Sequence, residues 1–130
     1  MKYIATLIFA GLLFAAPAND QAGPSGVAWL KLIDGAKYAD SWREASTYFR
    51  SRVPEKQWVN MVQGVRKPLG ALVSRKQRSI NFETTLPGAP DGKYAVILFD
   101  TSFQSKASAV ETLTVMADGD KWRVAGYFIR

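Results

Sequence analysis

Cysteine and histidine are both absent from this chain, and each absence closes off chemistry. Without cysteine there is no disulfide, no thiolate nucleophile and no lipoprotein acylation site, so the hydrophobic core alone must hold the fold. Without histidine, Ser-His-Asp and Cys-His catalysis, the usual zinc sites and a histidine pH switch are all excluded. Carboxylates, tyrosines, lysines and arginines remain for acid–base or binding chemistry, and no cofactor or metal is implied. Long hydrophobic runs are also lacking. The longest, Tyr3 to Phe14, falls short of the ~20 apolar residues that a helix needs to cross a bilayer. With Lys2 before it and the small-x-small triplet Ala16-Pro17-Ala18 after it, this run reads as a signal peptide over residues 1–18, cut after Ala18. The expectation is an exported protein, periplasmic or secreted, with no stable membrane span.

What is present suffices for one core. A chain of 130 residues that is 48% hydrophobic and 12% aromatic fits a single globular domain. Residues 19–25, NDQAGPS, are small and polar and suit a flexible mature terminus, which places the domain at 26–130. Val27, Trp29, Leu30 and Ile33 recur near helical spacing and predict a first helix. Tyr38, Trp42, Ala45 and Phe49 predict a second, with Asp40 or Ser41 as N-cap and a capping box from Ser41 to Glu44. Pro54 suits the first position of a third helix, whose apolar face is Trp58, Met61, Val62 and Val65. Pro68 and Gly70 should end it and turn Lys67 into extended backbone.

Beyond Gly70 the period changes towards two. Leu72 to Leu86 predicts a long polar-rich strand, PGAPDG at 87–92 a turn, and Tyr94 to Phe99, apolar throughout, a central strand. SFQSKAS at 102–108 forms most of a polar break, Val110 to Ala117 a third strand, Asp118-Gly119-Asp120 a tight hairpin, and Trp122 to Ile129 the last strand. Three helices followed by a four-stranded antiparallel meander give an α+β fold, with the helices on one face of a curved sheet.

Several of these stretches together carry a family resemblance: the Trp42 to Phe49 helix, Trp58 followed by RKPLG and SR within Arg66 to Arg75, LPGAPDGKY at Leu86 to Tyr94, and the terminal WRVAGYFIR. In this order they resemble the secreted bacterial domain-of-unknown-function family 4019. The resemblance implies an NTF2-like or cystatin-like α+β fold, in which a curved sheet wraps helices around a conical cavity. It implies no activity and no catalytic residue.

Charge singles out the junction of helices and sheet. Between Arg50 and Arg78 lie Arg50, Arg52, Lys56, Arg66, Lys67, Arg75, Lys76 and Arg78 against Glu55 alone, while the rest of the chain is nearly neutral. Arg66, Lys67, Arg75, Lys76 and Arg78 are the candidate ligand-binding set, since arginine forks grip carboxylate or phosphate and clustered cations hold a polyanion. A solvated basic face without a ligand is one competing reading, and pairing of Arg66 or Arg75 with a buried carboxylate that fixes the hinge is the other. Strand parity points Arg75 inward and Lys76 with Arg78 outward unless a bulge intervenes. Glu111 shares parity with Leu113 and Val115, so it is expected to be buried and to need a partner; Arg75 is the candidate for that structural pair. The sharper alternative makes Glu111 a general acid or base at a cavity floor, with Tyr94 or Tyr127 donating a hydrogen bond, and Asp100 as a weaker candidate of the same kind. Trp29, Trp42 and Trp58 read as core rather than as a stacking platform, and Trp122 and Tyr127 are expected on opposite faces of the last strand. The basic residues carry no nucleic-acid motif.

Two functional expectations follow. One is a small exported binding or interaction domain that holds an anionic polymer, lipid headgroup or small amphipathic ligand on its concave sheet face or basic hinge. The other is a cavity enzyme using carboxylate and tyrosine. A homodimer through the outer face of the Tyr94 to Phe99 strand is a third, purely structural reading.

Overall fold

A computed structural model describes residues 15–130. Most of the leader read at residues 1–18 therefore lies outside the described residues. A short 3-10 turn, Asn19–Gln21, leads into α1 (Ala22–Asp34), α2 (Tyr38–Arg43), α3 (Thr47–Arg52) and α4 (Glu55–Leu69). Then come β1 (Leu72–Glu83), β2 (Tyr94–Phe103), β3 (Lys106–Asp118) and β4 (Lys121–Ile129). The strands form an antiparallel meander in the order β1-β2-β3-β4. This is the α+β arrangement that the change of period predicts, with helices and strands segregated along the chain.

The helical half departs from the sequence pattern in three places. The chain is already helical through the stretch expected to be a flexible terminus: Ala22 is fully buried, and Trp122 Nε1 donates to Ala18 O at 2.8 Å. The single helix read from the Tyr38 to Phe49 stripe is two, because Ser46 is a cap rather than a helical residue. Its side chain accepts from Phe49 N at 3.0 Å, and its own N–H is drawn to Val124 O of β4 at 2.8 Å. Ser41 is correspondingly not an N-cap. It is buried within α2, where its carbonyl accepts from Trp29 Nε1 and its hydroxyl accepts from Trp58 Nε1. Pro68 does not expel Lys67 from the helix; both lie in the last turn of α4, and Gly70 at φ 75° ends it.

The sheet contains four register shifts; one lies where the end of β2 pairs with the start of β3, between Thr101 and Phe103, and the other three bear on the interior. Two in β1, at Val73 and Arg78, bring Leu72, Arg75, Ile80 and Phe82 onto the helix-facing side. The third, at Ala125 of β4, brings Trp122 and Tyr127 onto that same side, where strict alternation had separated them. β2 extends to Phe103 and β3 begins at Lys106, so the expected polar break shrinks to a hairpin turn at Gln104 and Ser105. On the helix-facing side Ala95, Ile97, Phe99, Leu113, Val115 and Val124 meet Trp29, Leu30, Ile33, Phe49, Trp58 and Val62 to make one core. The sheet is strongly curled. Phe82 of β1 and Trp122 of β4 bring their ring centroids within 6.1 Å, although strands three places apart in a flat sheet would be separated by about 14 Å.

Candidate functional site

The interior of the curl is polar at one end. Arg75 Nε donates to Glu111 Oε1 at 2.6 Å and Arg75 Nη2 to Oε2 at 3.1 Å, a two-pronged grip. The rest of the same guanidinium reaches Asp34, at the carboxyl end of α1, with distances of 2.8 and 2.9 Å. Arg66, near the end of α4, donates to Asp34 Oδ1 at 3.0 Å and lies over the Phe103 ring at 4.7 Å. Thr101 Oγ1 donates to Glu111 Oε1 at 2.6 Å, and Tyr127 OH donates to Oε2. Two arginines, two carboxylates and two hydroxyls thus close on one another, with Glu111 fully buried and Arg66 5% exposed.

These contacts set protonation. Burial pushes Asp34 towards the neutral form, but the hydrogen bonds and charge of Arg75 and then Arg66 prevail and hold its carboxyl below the ordinary 3.8. Burial and the adjacent Glu111 charge push the Tyr127 phenol well above its ordinary 10.0. Arg75, despite burial, is held charged by Asp34 and Glu111. Glu111 accepts four hydrogen bonds, which leaves no lone pair free for a substrate proton. Tyr94 is far from this cluster in function. It is on the opposite face of β2, buried under the connection from β1, and its hydroxyl donates to Pro90 O. The trio Glu111, Tyr94 and Tyr127 is therefore not one site.

The basic hinge is mostly spent on internal pairs. Arg66 and Arg75 belong to the buried cluster, and Arg78 Nε donates to Asp100 at 3.0 Å on the outer, solvent-facing side of the sheet. The hydrogen bond from Arg78 also holds Asp100 below the ordinary carboxylate value. Lys76 is exposed beside that pair, opposite Asp100 in the register, and Lys67 is exposed on α4. Lys67 and Lys76 are the members of the set with no salt bridge among the described residues, and they lie on separate elements.

Asp34 is, beside Thr101, the member of the buried cluster that sequence reasoning missed. It falls on the polar side of the α1 pattern and looks like a solvated helix-end acid; only the approach of α4 and β1 encloses it. No group of histidine, cysteine, aspartate or glutamate residues suited to a metal ion occurs among the described residues.

The open concavity lies elsewhere, between α1, α2 and the start of β4. It is a cleft of about 520 Å³ whose apolar wall includes Trp29, Leu32, Val115, Trp122 and Val124. Lys37, Arg43, Lys121 and Arg123 line it too, with Asp40 and Glu44. Arg43 is paired with Asp40 and Glu55, and Arg123 with Glu44, whereas Lys37 and Lys121 have no salt bridge among the described residues. The volume is within the range of small-ligand sites, roughly 300–1,000 Å³. A shallower polar groove lined by Arg50, Thr47, Asp118 and Gly119 continues past Arg43 and Arg123. Sequence reasoning missed this cleft because its cations are spread over 37–123 and are adjacent only after folding.

Residues 25–127 match the family model described as "Protein of unknown function (DUF4019)". No curated protein matches the chain.

Proposed function

The chain belongs to the DUF4019 family, whose description assigns no activity, and from the geometry we propose a small non-catalytic binding domain for an anionic amphipathic ligand. The observation that carries this reading is the cleft itself: indole and aliphatic edges along its floor, lysines and arginines at its rim. Apolar surface supplies most of the attraction for such a ligand, and the cations choose the sign of its head group. The sealed state of Glu111 argues in the same direction, since the best acid–base candidate is committed to Arg75, Thr101 and Tyr127. A polyanion held by the hinge is the less favoured form, because three of its five cations are already paired with carboxylates.

The curled sheet and the helices on its concave side are of the kind found in NTF2-like or cystatin-like folds. The apolar leader would deliver the domain to the periplasm or the medium. Titration with decanoate and decyl phosphate, read by tryptophan emission from the cleft, tests the reading against neutral decanol. We expect a saturable one-to-one change with the anions, weakened by salt and by the paired substitution Lys37→Glu and Lys121→Glu. A response that decanol matches, or that neither salt nor the substitutions alter, would sink it.

A further inference from the structure

We propose that Gly126–Arg130 form a self-pairing sheet edge on which a second copy of the chain docks. β4 is an edge strand in the sheet order. Val110 and Arg130 exchange both of their backbone bonds, each at 2.9 Å. By alternation Phe128 and Gly126 also turn their peptide groups to β3, so those of Tyr127 and Ile129 are directed away from the sheet. Upstream the same edge is occupied. Val124 O accepts from Ser46 N, and the bulge at Ala125 ends the free stretch.

The other edge of the sheet is guarded, as exposed edges usually are. β1 carries bulges at Val73 and Arg78 and the charges of Lys76, Arg78 and Glu83. Residues 126–129, Gly-Tyr-Phe-Ile, have neither charge nor bulge. Beside them lies an apolar groove of about 190 Å³ lined by Met61, Val65, Tyr127, Phe128 and Ile129. Met61, Val65 and Phe128 are each half exposed, at 52%, 50% and 52%.

A second copy fits this edge because the stretch is complementary to itself. With a two-fold axis beside Phe128, Tyr127 of each copy lies opposite Ile129 of the other, and four main-chain hydrogen bonds form. The two Phe128 rings then face each other as a close cross-strand pair. Arg130, whose guanidinium lies over its own Phe128 ring at 5.7 Å, falls opposite Gly126, where no group among the described residues stands within 4 Å of a side-chain position. Met61 and Val65 of each α4 flank the seam on the helix-facing side, the face opposite the Phe128 rings. Specific interfaces bury at least about 1,000 Å² in total; five paired residues and three half-exposed apolar side chains per copy reach only the low end. A weak, concentration-dependent dimer is the expected outcome.

Sedimentation equilibrium of the full chain from about 1 to 500 µM, with its amino terminus defined by mass spectrometry, tests this. Ile129→Pro deletes an outward N–H without removing a bond to β3, and Phe128→Lys charges the axis. Each should weaken the dimer at least about tenfold with an unchanged circular dichroism spectrum. In the wild-type chain, amide exchange at Tyr127 and Ile129 should slow as concentration rises. A monomer throughout the range overturns the proposal, and so does a dimer that survives both substitutions, which would move the contact to another face such as the outer side of β2.

Discussion

Glu111 combines full burial with four accepted hydrogen bonds, so its own charge has no solvent to fall back on. Removing one partner of such a cluster leaves an uncompensated charge in a poorly polarisable interior, at a cost of about 3–5 kcal/mol. Arg75→Met and Glu111→Gln should each lower the unfolding free energy by roughly that amount. The double variant should cost clearly less than the sum, because the second change removes the charge that the first had stranded. Urea denaturation of the three variants gives the comparison; additive losses would mean that the two side chains act independently. Position 111 was legible in the sequence as a charge on an apolar strand face, and Arg75 as its partner. Arg66 was legible as a second arginine for a buried carboxylate at the hinge, but Asp34 was not legible as that carboxylate, since it does not break its local pattern.

At the scale of elements, α1 and α4 differ in how much the sheet constrains them. Gly26 lies where α1 meets the sheet, and an added Cβ would come within 2.8 Å of Leu113 Cδ2 and 3.3 Å of Ile97 Cδ1, both side chains fully buried. Gly64 is on the exposed side of α4, and an added Cβ there meets nothing within 4 Å among the described residues. Gly26→Ala should therefore destabilise by about 1–2 kcal/mol through overpacking, despite its better helix propensity. Gly64→Ala should stabilise by roughly 0.5–1 kcal/mol, since only propensity changes. Thermal unfolding measured side by side tests the pair, and a loss of stability at Gly64 would contradict the exposed placement of that face. The division of the Tyr38 to Phe49 stripe into two helices belongs to this scale as well. Its hydrophobic spacing is continuous, and the interruption comes from the Ser46 N–H bond to Val124 O in β4, a contact that no local window contains.

Across the whole molecule, the absence of histidine and the directions of the buried titrations predict a broad stability plateau. Asp34 titrates below its unfolded value of 3.8, so its contribution is complete above that pH and is lost as acid protonates it in the fold. Tyr127 titrates above its unfolded value of 10.0, so its contribution is complete below that pH and declines as base ionises the unfolded chain first. Unfolding free energy should be nearly flat from about pH 5 to 9 and fall on both sides, and Tyr127→Phe should flatten the alkaline limb. Urea midpoints measured across that range check it; a steep slope near neutrality would point to a titrating group outside this account. The sequence alone determined the class of the fold, because a switch from helical spacing to alternation at Gly70 is written in local order, and the zero counts of histidine and cysteine bound the chemistry without any coordinates. Only the tertiary structure decided where the charges go. Bulges at Val73, Arg78 and Ala125 reset the parity of two strands, and the curl brings α1, α2 and β4 together around a cleft whose cations are far apart along the chain. Parity and proximity depend on how strands register and how a sheet bends, and those are set by packing between segments rather than within them.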